Sequence, residues 1–199
     1  MRLAFASLWQ HADGFSGVEF SGRTDRALLK NALVAMALHS DESFADALRR
    51  FKRAYYRRLP ETLRANKGTV LPGVLSFLDR LSTEPNATVA LGTGNFRHSA
   101  GMKLAHYGIG QHFALGGFGD HCEDRAVLID EGIRSATRLA GRHATVYVIG
   151  DTMHDITAAK ANNAVAVGVL TGNVPADELS AAGADLILKS LEDAEEHLL

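Results

Sequence analysis

The stretch "VIGDTMHDITAAKANNAVAVGVLTG", Val148 to Gly172, decides the fold of this chain of 199 residues. An apolar run leads to a glycine and an aspartate, a helical stretch follows, and a β-branched run closes the segment. A strand, a helix and a second strand in this order form a parallel pair joined by a crossover helix. The stretch therefore predicts one unit of a parallel α/β sheet, with polar residues at the carboxyl end of its first strand.

The same alternation continues on both sides of this stretch. Helical stretches separate the apolar strand candidates, which are residues 87–92, 113–119, 144–150, 164–170 and 184–190. Such alternation indicates a parallel sheet with helices on both faces. Asn163 stands where the helix of the quoted stretch should end in a left-handed residue, which asparagine tolerates. The predicted fold class is α/β, a doubly wound parallel sheet over residues 68–199.

The first 67 residues lack this alternation and predict a helical segment set against the α/β core. Thr24 or Asp25 can cap its first long helix, and Asp41 can cap the second. One apolar stripe follows the second helix at spacings of three and four, formed by Phe44, Leu48, Phe51 and Tyr55. Arginine and lysine cover much of the remaining surface of that helix, and a solvated face is favoured there over an anion-binding one.

Composition limits the possible functions. The chain has 46% hydrophobic and 22% charged residues and a net charge of -2, so we expect neither nucleic acid nor a membrane as a partner. Cys122 is the only cysteine, which excludes an internal disulfide and favours a reducing cytoplasm. No apolar run reaches the roughly 18 residues of a membrane span. The N-terminal "MRLAFASLWQ" is interpreted as the tail of an amphipathic helix rather than as a signal peptide.

The stretch "GTGN", Gly92 to Asn95, is the first of three polar clusters at strand ends. Thr93 offers a hydroxyl, Gly94 allows close backbone approach, and the following helix start should present free N–H groups. These features predict a phosphate-binding loop, although a plain strand–helix turn explains them equally well. The spacing also begins G-x-G-x-x-G, but Arg97 replaces the third glycine, which weakens a dinucleotide interpretation.

The second cluster, "GDHCEDR", places Arg125 at the start of a helix. A guanidinium there can hold a phosphoryl oxygen. A surface salt bridge with Glu123 or Asp124 is the alternative, and the local sequence alone favours it.

The third cluster, "GDTMHD", contains Asp151 and Asp155. Carboxylates at this place suit Mg²⁺, which takes one or two of them together with a substrate phosphate. Helix capping by Asp151 or Thr152 explains one acid well and the second poorly. The three clusters together predict a magnesium and phosphate site.

With these clusters the sequence resembles the haloacid dehalogenase superfamily, specifically its phosphoglycolate phosphatase-like hydrolases. The likeness extends from about Phe15 onward. "FSGVEFSGRTDRALLKNAL" is similar to the start of the helical cap of that family, and "VLPGVLSFLDRL" to the return into the core. "VALGTGN" resembles the second motif, and the stretch quoted first resembles the fourth. "EDR" resembles a form in which Arg125 stands where a lysine is more usual.

The resemblance implies a Mg²⁺-dependent phosphomonoester hydrolase that acts on a small phosphorylated metabolite through an aspartyl-phosphate. The implied catalytic residues are Thr93, Arg125 and Asp151. The implied phosphate-binding residues are Thr93, Gly94, Asn95 and Arg125. Asp151 is implied as a Mg²⁺ ligand with Asp155 in support, and Arg23 and Thr24 of the cap (residues 1–67) are implied as contacts of the leaving group.

The family's nucleophile belongs to a D-x-D-x-T motif at the end of the first core strand, and no D-x-D occurs in this sequence. We therefore expect that strand to be absent from the middle of the sheet, and the 199-residue chain to be inactive. An N-terminally truncated phosphatase is the favoured interpretation. A catalytically dead phosphate- or partner-binding protein and an unrelated nucleotide binder are the alternatives. Phosphoglycolate, a sugar phosphate and a nucleotide all stay open as the ester, and so does the oligomeric state.

Overall fold

The structure is a computed structural model that describes residues 1–38, 42–141 and 143–198. Its helices are α1 (Arg2–Trp9), α2 (Asp25–Ala35), α3 (Phe44–Ala65), α4 (Val74–Thr83), α5 (Arg97–His106), α6 (Arg125–Ala140), α7 (Met153–Ala161), α8 (Ala176–Ala181) and α9 (Ala194–Leu198). Its strands are β1 (Ala90–Thr93), β2 (Leu115–Phe118), β3 (Tyr147–Gly150), β4 (Val165–Val169) and β5 (Leu186–Leu188). Within these ranges no helix is long and apolar enough to cross a membrane.

The strand and helix predictions for the core are confirmed. Each predicted strand contains one observed strand, apart from β1, which extends one residue further to Thr93. All the strand pairs are parallel. Asn163, just beyond the end of α7, has a φ of 55° and so takes the left-handed conformation that the sequence predicted for it. The α/β fold class follows from local patterns of this kind.

The sheet consists of two separate ladders in the described part of the chain. β1 pairs with β2, with Ala90 opposite Leu115, and β4 lies between β3 and β5. α6 joins the ladders, because it packs on β1 and β2 while its buried Leu128 and Ile129 pack with Val148 of β3. β1 and β3 each keep one edge without a backbone partner among the described residues. This arrangement agrees with the expectation that one strand is absent from the middle of the sheet.

The helical segment has its own aromatic core. The fully buried rings of this cluster are those of Phe5, Phe15, Phe51 and Phe96. The predicted stripe of α3 is confirmed, because Phe51 and Tyr55 are buried and Phe44 and Leu48 pack against the same cluster. Phe96 immediately precedes α5, so the helical segment packs directly on the part of the core where the predicted phosphate loop lies.

The helix caps are partly as predicted. Thr24 caps α2, because its side chain accepts a hydrogen bond from the Ala27 N–H. Asp41, the predicted cap of the next helix, lies outside the described residues. α3 begins at Phe44, and Ser43 caps it by accepting from the Asp46 N–H. A serine or threonine cap of this kind typically stabilises a helix by about 1 kcal/mol.

Candidate functional site

The polar clusters lie at the carboxyl ends of strands in both ladders. Thr93 is the last residue of β1, and Asp151 directly follows β3. Arg125 begins α6, and Asp155 lies in the first turn of α7. In open parallel sheets ligands bind outside these strand ends, where helices begin with unpaired N–H groups. The position of the clusters in the fold is therefore suited to a ligand site.

Arg125, which is partly buried, and Asp155, which is buried, form an ion pair that joins the second cluster to the third. The Arg125 Nε and Nη2 both donate to Asp155 Oδ1, at 2.8 and 2.5 Å. The side chains are 19% and 6% exposed, so water screens the pair little. The local alternatives, ion pairs with Glu123 or Asp124, are not formed: Glu123 instead contacts Arg26 and Lys30.

Asp155 has protein donors on both of its carboxylate oxygens. Its Oδ2 accepts from the Thr152 N–H at 3.1 Å and from the Thr152 hydroxyl at 2.7 Å. The Thr152 oxygen in turn accepts from the Asp155 N–H, which completes a capping box at the start of α7. Asp155 therefore fixes the turn that carries Asp151 and, at the same time, the guanidinium of Arg125.

Asp151 is exposed to solvent, in contrast to the buried Asp155. Within the described part of the chain, no three His, Cys, Asp or Glu side chains cluster in a way that could hold a metal ion. A site built on one exposed carboxylate still fits Mg²⁺, because this ion keeps several waters and takes few protein ligands beside a substrate phosphate. Asp151 is thus the residue best placed to hold the cation, with Asp155 orienting the turn beneath it.

Gly172, in the loop after β4, packs directly against Asp151. A Cβ on Gly172 would lie 2.3 Å from Asp151 Oδ2 and 2.8 Å from the Asp151 Cβ. These distances are far shorter than van der Waals contact, so any larger residue at 172 must displace the Asp151 carboxylate. The absence of a side chain at Gly172 therefore sets the position of the candidate metal ligand.

The Gly172→Ala variant is expected to bind Mg²⁺ about ten-fold more weakly than the parent, as is usual when a contact that orients a metal ligand is disturbed. Isothermal titration calorimetry with MgCl₂ measures the change. Gly101→Ala is the control, because a Cβ at that site in α5 meets no atom within 4 Å. Equal Mg²⁺ affinity in the two variants would contradict this role of Gly172.

The predicted phosphate loop is held from several sides. The Asn95 N–H donates to Thr93 Oγ1 at 3.2 Å, and the Gly119 N–H donates to the Asn95 carbonyl at 2.9 Å. The Lys103 Nζ donates to the side-chain oxygen of Asn95. The loop is therefore ordered by protein contacts before any ligand is bound.

The start of α5 differs from the sequence prediction of free N–H groups. The Phe96 N–H donates to Asp25 Oδ2 at 3.0 Å, and the Arg97 N–H donates to Asp120 Oδ2 at 2.6 Å. Asp120 also pairs with Lys52 of α3. Two carboxylates of this chain thus accept hydrogen bonds from backbone N–H groups that were expected to bind phosphate. Packing of the helical segment brings Asp25 to this position, and the loop after β2 brings Asp120.

The stretch that contains Arg23 and Thr24 lies against the phosphate loop. A Cβ on Gly94 would be 2.4 Å from the Arg23 carbonyl oxygen and 3.0 Å from the Thr24 Cα. The Asp25 N–H donates to the Gly94 carbonyl at 2.7 Å. Gly94 is therefore required by the close approach of the helical segment.

The same stretch also reaches the third cluster. A Cβ on Gly22 would lie 2.0 Å from the His154 ring, in the first turn of α7. Thr24 is fully buried and its hydroxyl caps α2, whereas Arg23 lines an open cleft. Arg23 and Thr24, the two residues of the helical segment that were predicted to contact the leaving group, thus both lie near the polar clusters. Of the two, Arg23 faces open space. Their contact with a leaving group stays a prediction.

The cleft has a volume of about 300 Å³ and lies between the helical segment and the phosphate loop. Its charged and polar lining residues are Arg2, Arg23, Asp25, Tyr55, Asn95 and Lys103. Burial raises the pKa of Asp25, and the Phe96 N–H and the Lys103 charge oppose this rise. Burial likewise lowers the pKa of Lys103, against the attraction of Asp25. Each of the two opposite charges therefore favours the charged form of the other, while burial disfavours both charged forms.

Sequence reasoning did not assign Asp25, Lys103 and Asp120 to the site. Asp25 looked like an ordinary helix cap, Asp120 lay in the second cluster without an assigned role, and Lys103 belonged to no motif. The only local signal was the position of Asp120 directly after the strand-end glycine of "GFGD". Their partners are distant in sequence, so no spacing pattern could have revealed these contacts.

Comparison with known proteins assigns most of the chain to one family. Residues 4–160 match the family model described as haloacid dehalogenase-like hydrolase. The chain is similar to "Probable phosphatase IndB" of Dickeya dadantii (strain 3937), with 29% identity over 154 residues, 77% of this chain and 65% of that protein. The chain thus spans slightly less than two thirds of the length of this curated relative.

Two solved structures show a similar fold. A "predicted phosphoglycolate phosphatase" from Haemophilus somnus 129pt superposes with a TM-score of 0.63 at 20% identity, over 88% of this chain and 78% of that one. A haloacid dehalogenase-like hydrolase from Streptococcus pneumoniae superposes with a TM-score of 0.61 at 15% identity, over 99% and 91%. At these identities the similarity concerns the fold alone.

Proposed function

The chain belongs to the haloacid dehalogenase-like hydrolase family, and from this premise we propose that it is the phosphate- and magnesium-binding part of a phosphomonoester hydrolase. The observation that carries the proposal is the exposed Asp151 beside the buried Arg125–Asp155 pair. Asp151 follows β3 and Arg125 begins the helix after β2, so an exposed carboxylate and a guanidinium lie at the carboxyl edge of the sheet, where they would suit a cation and a phosphate. The family match also overturns the alternative of an unrelated nucleotide binder.

Thr93 and Arg125 are the proposed donors to the phosphoryl group. The Thr93 oxygen already accepts from the Asn95 N–H, so the hydroxyl proton is left to donate to a phosphoryl oxygen. A guanidinium has five N–H donors, and Asp155 engages only the Nε and Nη2 groups of Arg125. The remaining donors can bind the same phosphate, while Asp155 holds the plane of the guanidinium.

Asp151 is the proposed direct ligand of Mg²⁺. The bound ion would offset the charge of the phosphate and polarise its oxygens. Asp155 contributes by fixing Thr152, and with it the turn on which Asp151 stands. The natural substrate is proposed to be a small phosphorylated metabolite, whose leaving group would occupy the cleft that Arg23 lines.

The nucleophile of the proposed reaction is a carboxylate outside these 199 residues. The reaction implied by the family resemblance forms an aspartyl-phosphate that water then hydrolyses. A strand inserted between the free edges of β1 and β3 would have its carboxyl end between Thr93 and Asp151. We propose that such a strand supplies the nucleophile, and that the chain without it binds phosphate but does not turn over.

A catalytically dead phosphate- or partner-binding protein is the second candidate function. The absence of any D-x-D in the sequence favours it. The two candidate functions share the binding site for Mg²⁺ and phosphate. They differ only in whether a further strand supplies a nucleophile.

The binding half of the proposal is tested by calorimetry with the 199-residue chain. We expect Mg²⁺ to bind, inorganic phosphate to bind in its presence, and Asp151→Asn to weaken Mg²⁺ binding at least about ten-fold, because a carboxylate ligand is lost. Asp177→Asn, an exposed acid on α8, is the control and should behave like the parent. A parent chain that binds neither Mg²⁺ nor phosphate would exclude the proposed site.

A further inference from the structure

We propose that Asp25 is a positioning residue through which the helical segment aligns the phosphate-binding loop of Thr93 to Asn95. This inference rests on the proposed function, because it concerns how the same loop is prepared for phosphate. Asp25 itself faces the cleft, but it acts on the phosphate through the loop and not by contact.

Asp25 contacts the loop at two points. Its backbone N–H donates to the Gly94 carbonyl at 2.7 Å. Its carboxylate Oδ2 accepts from the Phe96 N–H at 3.0 Å and from the Ser99 hydroxyl at 3.3 Å. The two contacts lie on either side of Asn95, so one residue fixes the direction of the backbone through the turn.

The first contact determines which way the Gly94–Asn95 peptide faces. In a planar trans peptide the carbonyl and the N–H point in opposite directions. Because the Gly94 carbonyl points to Asp25, the Asn95 N–H points away from it, toward Thr93 Oγ1 at 3.2 Å. That hydrogen bond leaves the Thr93 hydroxyl proton as the free donor. A rotation of this peptide would remove the donor from the proposed phosphate position.

The second contact supplies a cap that α5 lacks locally. Phe96 is the N-cap residue of α5, and its own side chain makes no capping bond. Asp25 provides the acceptor from 71 residues earlier in the chain. The conformation of the loop and of the first turn of α5 therefore depends on the position of the helical segment.

The surroundings make this contact specific. Asp25 is 3% exposed and Ser99 is fully buried, so water cannot easily replace the carboxylate as the acceptor. Lys103 binds the Asn95 side chain on the other side of the turn and attracts the Asp25 charge. A neutral residue too short to reach Phe96 would leave the buried N–H without a partner.

The test is the affinity for inorganic phosphate in the presence of Mg²⁺, measured by calorimetry on Asp25→Ala and Asp25→Asn chains. We expect Asp25→Ala to bind phosphate about ten-fold more weakly or worse, since small displacements of a binding group have effects of this size. Asp25→Asn keeps an oxygen that can accept from the Phe96 N–H, so we expect a loss of only about two- to three-fold. A smaller loss of phosphate affinity in Asp25→Asn than in Asp25→Ala would show that the hydrogen bond to the loop matters more than the charge of Asp25.

Ser43→Ala is the matched control for stability. It removes the cap of α3, far from the loop in sequence, and should lower the thermal midpoint without changing phosphate affinity. If Asp25 only stabilised the fold, its variants would behave in the same way. Unchanged phosphate affinity in a folded Asp25→Ala chain would therefore overturn the inference.

Amide ¹H–¹⁵N spectra keep the two proposals separate. If the parent chain binds no phosphate, the proposed function fails, and the spectra still decide the role of Asp25. We expect the Asn95, Phe96 and Ser99 amide signals to shift in Asp25→Ala, and the Phe96 amide to exchange faster with solvent. Signals of the loop that stay in place would overturn the inference, and Asp25→Leu, which has a similar size but no acceptor, provides the same test if the alanine variant does not fold.

Discussion

The purified 199-residue chain is expected to release phosphate from p-nitrophenyl phosphate at least about a thousand-fold more slowly than a family member that carries the D-x-D-x-T motif under the same Mg²⁺ conditions. The reason is that the covalent step needs a nucleophile, and removal of a nucleophile typically costs several orders of magnitude in kcat. A continuous absorbance assay measures the rate, with an active family member that carries the D-x-D-x-T motif as the positive control.

Addition of the missing motif is expected to restore activity. A β-strand ending in D-x-D-x-T, taken from a family member and fused ahead of Met1, should pair between β1 and β3 and confer Mg²⁺-dependent hydrolysis. The matched controls are the same fusion with asparagine in place of its first aspartate, and the fusion that carries Asp151→Asn. Both should be inactive, because one lacks the nucleophile and the other the proposed metal ligand.

The outcomes separate the two candidate functions. A fusion that folds and binds phosphate but does not turn over would favour the catalytically dead protein. Fast hydrolysis by the unfused chain, lost in Asp151→Asn, would contradict the prediction and show that the chain contains all the groups that catalysis needs.

The Arg125→Met variant is expected to lower the free energy of unfolding by about 3 kcal/mol, because it leaves the Asp155 carboxylate buried without its counter-charge. For a chain of this size that corresponds to a fall in thermal midpoint of roughly 6–12 °C. The two donors of Thr152 remain on Asp155, which keeps the loss near the lower end for a broken buried pair. Chemical denaturation monitored by circular dichroism gives the free energy directly.

Arg134→Met is the matched control on the same helix. Arg134 pairs with Asp130 at 2.7 Å, a distance similar to that of the buried pair, but its side chain is 72% exposed. Exposed pairs of this kind contribute about 0–1 kcal/mol, since water screens them and the side chains lose freedom. Equal destabilisation by the two substitutions would show that burial of the Arg125–Asp155 pair is not the cause.

The sequence by itself determined the elements of the fold and the positions of the polar clusters. Strands, helices and the left-handed Asn163 follow from local patterns, because backbone conformation depends mostly on neighbouring residues and on the period of apolar side chains. Thr93 and Asp151 could be found in the same way, since each directly follows an apolar run. A site at the strand ends of an α/β core was predictable on these grounds.

Only the tertiary structure decided which polar groups meet. Arg125 and Asp155 are 30 residues apart, and Asp25 and Phe96 are 71 apart, yet each pair is in hydrogen-bond contact. The local sequence favoured other roles for these side chains: a helix cap for Asp25 and a salt bridge with a neighbouring acid for Arg125. Packing removed those options, because a buried charge or N–H must find its partner among the groups that the fold brings within about 3 Å.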